Sequence, residues 1–201
     1  SPYNPYMGYG RSKMRMELAV QEHRQLDWVL IRAPWFYGPY QPARQSLFFR
    51  MVRDGRAPLV GNGNNLRSMS YVDNLAEGLW LAAEHPQASR RAFWMADESP
   101  YSMNEIIGTI ESVLREDFSI ACKGKRMRLP YFVGQIAEVI DSGLQRAGLY
   151  QQKIHVLSEM NKTIACDVSL AQRVLGYAPR FALREGMRRS VEWQLQRRGS
   201  L

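Results

Sequence analysis

Apolar positions recur along the chain with two alternating periods, one typical of helices and one typical of strands. Residues 12–24 carry apolar side chains at helical spacing, with polar side chains on the opposite side. Residues 28–31 (Trp-Val-Leu-Ile) form a continuous apolar run, which predicts a strand covered on both faces. Residues 44–54 return to the helical period and end at Gly55. The loop predicted before this second helix is marked by Pro34, Gly38, Pro39 and Pro42.

The same alternation continues through the middle of the chain. Short strands are predicted at residues 58–61, 69–72 and 92–95. Asp73 is predicted as the N-cap of a helix that stops before Pro86. Ser102-Met-Asn-Glu105 fits a capping box, in which the serine and the glutamate satisfy each other's backbone amides at the start of a further helix.

Three more helices are predicted in the remaining residues. One follows Pro130, one covers residues 169–175 and is closed by Gly176, and the last places Leu183, Met187, Val191 and Leu195 on one face. Residues 129–149 are apolar along one face, which would either cover a substrate cleft or pack against a partner subunit. Strands that alternate with helices of this length predict a mixed α/β architecture.

Composition narrows the class of protein. The chain has 201 residues, of which 45% are hydrophobic and 23% charged, and this composition excludes a disordered tail or a fibre. Cys122 and Cys166 lie too far apart for a CxxC metal pair or a disulfide framework, so we expect a reducing, cytoplasmic setting. No apolar run approaches the roughly 18 residues that a membrane span needs.

The chain is basic, with a net charge of +8. Such an excess attracts nucleic acid, anionic lipid or a phosphorylated small molecule. The charge is locally dense at residues 123–128 and at Arg184, Arg188, Arg189, Arg197 and Arg198, which we interpret as solvated faces. His23, His85 and His155 form no ligand pattern, so no metal site is expected.

The candidate chemistry lies near the start of the sequence. Tyr9 and Lys13 are four residues apart at the beginning of a predicted helix, so both side chains project from one face. Free tyrosine has a pKa of about 10, and a fixed positive charge nearby favours the phenolate. If the pKa of Tyr9 were lowered by about two, its hydroxyl would be a usable proton acceptor for an alcohol or a proton donor for a carbonyl.

Four segments in order carry a resemblance to a known family. Residues 5–13 (Pro-Tyr-Met-Gly-Tyr-Gly-Arg-Ser-Lys) resemble the Tyr-x-x-x-Lys helix of the extended short-chain dehydrogenase/reductases, the NAD-dependent epimerase/dehydratase family. Residues 30–39 resemble that family's strand and loop beside the nicotinamide, and residues 61–76 resemble its substrate-domain strand and following helix. Residues 167–186 resemble its closing element.

The resemblance implies an α/β fold: the C-terminal part of a Rossmann-type fold with a small mixed α/β substrate-binding domain. Residues 1–55 would be the last elements of the NAD(P)-binding domain, and residues 56–201 mainly the substrate domain, with some elements returning to the sheet. Tyr9 would be the catalytic acid/base, and Lys13 would assist it and anchor the ribose of NAD or NADP. The other implied site residues are Pro34, Trp35 and Phe36 at the nicotinamide, and Arg67 and Tyr37 at the substrate.

One part of the family pattern is missing. The glycine-rich turn that holds a pyrophosphate at a helix N-terminus is not found, and Gly61-Asn-Gly63 is better interpreted as a tight turn. Because the chain also begins with Ser1, we expect it to be the C-terminal portion of a longer protein that supplies an N-terminal half. We expect the chain alone to be inactive and to bind NAD weakly.

Several functions stay open at this point. Oxidation, reduction and epimerisation share the same first step, and Trp35 and Phe36 favour an apolar alcohol whereas Arg67 favours a sugar nucleotide. A non-catalytic NAD(P)-binding or scaffold relative is the main alternative, and a basic nucleic-acid-binding module is a second. The expected partners are a small-molecule substrate and, as one possibility, a second copy of the chain; no nucleic acid and no membrane span are expected.

Overall fold

Helices and strands alternate along the chain, as the sequence predicts. The computed structural model describes residues 3–199 and 201, apart from the side chains of residues 44 and 198. The elements of the first part are α1 (Met7–Glu22), β1 (Val29–Arg32), β2 (Trp35–Tyr37), α2 (Ala43–Arg53), β3 (Pro58–Val60), β4 (Leu66–Arg67) and β5 (Met69–Tyr71). Those of the second part are α3 (Val72–Glu84), β6 (Arg91–Trp94), β7 (Tyr101–Ser102), α4 (Met103–Ser112), β8 (Met127–Leu129), α5 (Tyr131–Arg146), α6 (Gln152–Glu159), α7 (Ser169–Leu175) and α8 (Leu183–Arg198).

Short parallel ladders join segments that are distant in sequence. β1 pairs with β6 in parallel, with Leu30 opposite Ala92. β2 pairs with β5, and β3 with β8, also in parallel. β4 and β7 form an antiparallel pair in which Arg67 lies opposite Tyr101. Parallel strands need a crossover connection, and here helices supply it, which is the arrangement expected of an α/β protein.

Two hydrophobic cores hold these ladders. One lies between β1, β6, α3 and α7 and includes Phe93, Met95 and Tyr177. The other lies between β2, β5, α2, α4 and α8 and includes Tyr71 and Ile107. Each core draws on residues from both sides of position 55, so the domain boundary predicted there stays a prediction.

Locally encoded elements agree closely with the sequence-based predictions. The capping box is present, since the Ser102 hydroxyl accepts from the Glu105 amide at 3.1 Å and the Glu105 carboxylate accepts from the Ser102 amide. α7 covers the predicted residues and ends at Gly176, whose φ of 67° is the left-handed conformation that favours glycine. The predicted core face of α4 is fully buried.

Several predictions were wrong in detail. α1 begins at Met7, five residues before the predicted start at residue 12. Asp73 is not an N-cap, because α3 begins at Val72. The Asp73 carboxylate lies in the first turn, where it interacts favourably with the positive end of the helix dipole. The predicted loop contains strand β2. All four residues of β1 are half-buried, whereas the sequence predicts a strand covered on both faces. The sequence analysis also missed β4, β7, β8 and α6.

Candidate functional site

Tyr9 and Lys13 lie one turn apart on the same face of α1. The Lys13 ammonium is 5.7 Å from the centroid of the Tyr9 ring, and the Tyr9 side chain is 62% exposed. In the first turn, the Ser12 hydroxyl donates to the Tyr9 carbonyl at 2.8 Å. The spacing predicted from sequence therefore places the phenol and the ammonium together and open to solvent.

A distant glutamine caps the start of this helix. Neither Tyr6 at the N-cap nor any residue beside it caps α1 with a side chain. Instead the amide of Gly8 donates to Gln145 Oε1 at 2.7 Å, from the last turn of α5. This bond satisfies one of the amides that every helix leaves unpaired at its N-terminus, one residue before Tyr9.

A buried Asp–His pair in turn holds this glutamine. Gln145 Nε2 donates to Asp141 Oδ2 at 2.9 Å, and His155 Nδ1 lies 2.7 Å from the same oxygen. Asp141 is fully buried, and the ring of His155 stacks against Tyr6 with centroids 6.0 Å apart. The position of Tyr9 is thereby linked to α5 and α6.

The other end of α1 is attached to β1 by an ion pair. Arg32 Nε donates to Glu17 Oε1 at 2.9 Å, and the Tyr3 hydroxyl donates to Glu17 Oε2 at 2.9 Å. The hydrogen bond from Arg32 holds the pKa of the Glu17 carboxyl below its ordinary value, against the opposing effect of burial. Glu17 and Arg32 thus fix α1 on the strand that leads to Pro34.

A cleft of about 540 Å³ opens beside Tyr9. Its walls are the first turns of α1, the last turns of α5 and the loop that follows, with Tyr9, Ser12, Ser142, Gln145 and Tyr150 among the lining residues. Lys13 and the other predicted site residues are not part of its lining. Tyr9 is therefore the one predicted site residue that lines this cleft.

The residues predicted at the nicotinamide lie on and before β2. Pro34 is half-buried, and Trp35 packs edge-on against Phe48 with ring centroids 5.6 Å apart. Phe36 is 44% exposed. The alternation of the strand therefore turns Trp35 towards α2 and leaves Phe36 at the surface.

Tyr37 is a core residue in this structure. Its side chain is 3% exposed, and its hydroxyl donates to Asp97 Oδ2 at 2.8 Å. Asp97 Oδ1 accepts from the Tyr71 amide at 3.0 Å, and burial raises the pKa of the Asp97 carboxyl. Desolvation and the Asp97 carboxylate also raise the pKa of Tyr37. No local sequence pattern predicts that the Tyr37 hydroxyl bonds inside the protein. The contact of Tyr37 with substrate stays a prediction.

Arg67 is the last residue of β4, and its side chain contacts the end of α6. Its guanidinium donates to the Glu159 carbonyl, while its Nε has no hydrogen-bond partner within the described residues. Burial lowers the pKa of the Arg67 guanidinium. The Arg67 Nε is itself buried, so the contact of Arg67 with substrate stays a prediction.

The structure brings the predicted residues together in two groups. Tyr9 and Lys13 form one group, and Trp35 and Tyr37 share a small cavity with α2, β5 and α8 in another. Arg67 lies with neither group. Sequence reasoning missed Gln145, Asp141 and His155, because their link to Tyr9 is made only by tertiary contact.

Most charges of the basic C-terminal helix are paired. Arg184 contacts Glu116 and Asp117, and Arg188 contacts Glu185 and Glu192. Hydrogen bonds from Arg188 and Arg189 lower the pKa of Glu185 to about 2. The Arg198 side chain lies outside the described residues.

Among the described residues, no cluster of histidine, cysteine or carboxylate side chains has the geometry to hold a metal ion. Burial raises the pKa of both free cysteines.

The residues present fit one end of a dinucleotide. A phenol beside an ammonium suits a nicotinamide ribose and a substrate oxygen. A pyrophosphate needs a glycine-rich backbone at a helix start, and the turn at Gly63 does not offer one, since a side chain there would lie 2.8 Å from Asn104 Oδ1. That turn is filled by Asn104 instead, as expected of a structural turn.

Comparison with known proteins decides the family. Residues 1–95 match the model of the NAD dependent epimerase/dehydratase family, and an uncharacterized protein y4nL from Sinorhizobium fredii is 58% identical over 197 residues, which is 96% of this chain and 55% of that protein. Residues 1–95 of the chain belong to the NAD dependent epimerase/dehydratase family. UDP-glucose 4-epimerase from Vibrio cholerae is 24% identical over 196 residues, 96% of this chain and 55% of that enzyme.

The solved structures confirm the fold. UDP-glucuronic acid 4-epimerase from Bacillus cereus, determined in complex with NAD, superposes with a TM-score of 0.67 at 16% identity, covering 98% of this chain and 54% of that one. The chain therefore has part of the Rossmann-type α/β fold of these enzymes, as the resemblance implies. The chain spans about half the length of the curated relatives that it matches.

Proposed function

We propose that the protein containing this chain is an NAD(P)-dependent epimerase, dehydratase or oxidoreductase that acts at a hydroxyl or keto carbon. The observation that carries this proposal is the Tyr9–Lys13 pair, with the ammonium 5.7 Å from the phenol ring and the phenol open to a cleft. The family supports the same chemistry, because its members are NAD-dependent epimerases and dehydratases.

Tyr9 carries the proton in this mechanism. Its hydroxyl takes the proton from the substrate alcohol, or donates one to the substrate carbonyl, as the carbon at that position is oxidised or reduced. Lys13 stabilises the negative charge that develops on the Tyr9 oxygen and donates hydrogen bonds to the ribose. NAD or NADP, when bound, supplies the hydride exchange. The Gly8–Gln145 bond keeps the first turn of α1, and with it Tyr9, in place.

The dinucleotide's pyrophosphate would be held by an N-terminal half that this chain does not contain. Pro34, Trp35 and Phe36 would contact the nicotinamide, and the chain alone would bind NAD weakly and be inactive. We expect the substrate to be a sugar nucleotide, because the guanidinium of Arg67 would pair with its phosphate. A more apolar alcohol is the alternative, which the exposed ring of Phe36 favours.

Substitution of Tyr9 tests the proposal. General acid–base groups contribute a factor of about 10² to 10⁴ in rate, so Tyr9→Phe should lower kcat by that factor. The assay uses the longer protein that contains this chain, with NAD(P) and a panel of UDP-sugars and ketones. Tyr40→Phe is the matched control, since Tyr40 is 81% exposed and its ring rests beside Trp193. Undiminished activity in Tyr9→Phe would favour the non-catalytic scaffold relative.

A further inference from the structure

The outward face of α5 is apolar and uncovered. Phe132 is 56% exposed, Ile136 53% and Val139 73%, and all three lie on one side of the helix with Tyr131 and Ile140 at its margins. The opposite side carries Gly134, Ala137 and Asp141, which are buried. This is the face predicted to cover a substrate cleft or to pack against a partner subunit. No described element covers it.

Exposed apolar side chains also follow the end of the helix, where Leu149 and Tyr150 line the cleft beside Tyr9. Leu149 is 58% exposed and Tyr150 57%, in the loop between α5 and α6. Val156 on α6 is 50% exposed. A monomeric protein rarely leaves a contiguous apolar patch of this kind at its surface unless the patch binds something.

The cations at the two ends of α5 lack ion-pair partners within the described residues. Both carboxylates of α5 are engaged elsewhere, since Glu138 pairs with Lys162 at 2.7 Å and Asp141 is buried against His155. The basic residues that precede, end or follow the helix form no ion pair within the described part of the chain. They are Lys123, Lys125, Arg128, Arg146 and Lys153.

This combination favours an anionic occupant over a second copy of the chain. A symmetric dimer through α5 would bring identical cationic rims together, with no carboxylate on either outward face to pair with them. An apolar face with Phe and Ile at its centre and Lys and Arg around it is the pattern of helices that lie in the interface of a membrane. No described helix combines the length and the hydropathy that crossing a bilayer would require, so the mode that fits is lying on the surface.

We propose that the outward face of α5 binds the surface of a membrane that contains anionic phospholipid. Phe132, Ile136 and Val139 enter the boundary between headgroups and acyl chains, and Arg128 and Arg146 contact the phosphates. The proposal is separate from the Tyr9–Lys13 chemistry, although Arg146 also lines the cleft beside Tyr9.

Vesicle flotation tests the proposal. The chain should bind vesicles of phosphatidylcholine with 30% phosphatidylglycerol at least tenfold more tightly than vesicles of phosphatidylcholine alone, and less so as salt rises. The variant Phe132→Ser/Ile136→Ser/Val139→Ser should lose at least tenfold in binding. Arg128→Gln/Arg146→Gln should lose about 25-fold on anionic vesicles, at about fivefold for each cation, and little on neutral ones.

The controls separate a lost surface from a lost fold. Trp80→Ser removes an equally exposed aromatic side chain, 69% exposed, from α3 and should bind as the unchanged chain does. Far-UV circular dichroism and thermal unfolding of each variant should match the parent, since the substituted side chains are exposed.

Five results would overturn the proposal. They are equal or absent binding to the two kinds of vesicle, full binding by the triple α5 variant, and an equal loss in Trp80→Ser. The fourth is a dimer detected by sedimentation that becomes a monomer in the triple variant, while vesicle binding is unchanged. That result would identify the occupant as a second copy of the chain. The fifth is a lack of vesicle binding by the longer protein that contains this chain, which would show that the outward face of α5 is internal there.

Discussion

Glu17 shows how much one side chain contributes at the residue scale. It joins the helix that carries Tyr9 to the strand that leads to Pro34, through hydrogen bonds from Arg32 and Tyr3. Its side chain is 11% exposed and that of Arg32 is 21% exposed, so little solvent screens the pair. Hydrogen bonds to charged groups are worth about 1.5 to 3 kcal/mol when they are desolvated in this way.

Replacing this carboxylate should give a pH-dependent loss of stability. Glu17→Gln should lower the free energy of unfolding by about 1 to 3 kcal/mol at pH 7. Because the native pKa of Glu17 lies below its ordinary value of 4.5, the contribution is complete above that pH and is lost as the pH falls through the native pKa. Urea unfolding between pH 3 and 7 measures it, and Glu22→Gln, at an exposed position in the same helix, is the control. A gap between Glu17→Gln and the parent that persists undiminished at acid pH would contradict this account.

The start of α4 is the clearest case at the scale of elements. Its capping box lies within four consecutive residues, so the sequence alone predicts it, and both hydrogen bonds are present. Asp73 matches the same kind of local signal but lies inside the helix and caps nothing. An N-cap is therefore recognised by the serine–glutamate pair and less reliably by a lone aspartate.

The two positions should differ in stability. Ser102→Ala should cost about 1 kcal/mol, because it leaves the Glu105 amide without an acceptor. Asp73→Ala should change stability by about 0.5 kcal/mol or less, since its carboxylate is exposed and lies 3.7 Å from Arg189. Denaturant midpoints of the two variants test this difference, and equal losses would contradict it.

Elements and site residues set by distant contacts could not be predicted. β8 has a basic, exposed sequence and is a strand only because β3 pairs with it. α1 starts early because Gln145 caps Gly8 from 137 residues away. In the site, the Tyr9–Lys13 pair follows from helical spacing, whereas the burial of Tyr37 and the Asp141–His155 pair depend on tertiary packing that no local pattern contains.

At the scale of the whole molecule, Gly186 decides how closely α8 approaches the core. A side chain at this position would lie 2.6 Å from Cε2 of Tyr37 and 2.7 Å from Cδ2 of Tyr71. Both rings are buried, and they pack edge-on with centroids 5.6 Å apart. The absence of a side chain at residue 186 lets the last helix cover β2 and β5.

Two helical glycines should therefore respond in opposite directions to alanine. Gly186→Ala should destabilise the chain by about 1 to 3 kcal/mol, because overpacking exceeds the gain in helix propensity. Gly143→Ala in α5 meets nothing within 4 Å and should stabilise it by up to about 1 kcal/mol. Thermal unfolding of the two variants gives the comparison, and a stabilised Gly186→Ala would show that α8 can move away from the rings.

The parallel ladders also have a consequence for biosynthesis. β3 at Pro58–Val60 has its partner strand at Met127–Leu129, and β1 has its partner strand β6 at Arg91–Trp94. A ribosome that adds about 5 to 20 residues per second leaves β3 without its neighbour for roughly 3 to 14 s. During that interval Leu59 and Val60, which end up in the interior, are exposed on the nascent chain and are natural targets for a chaperone.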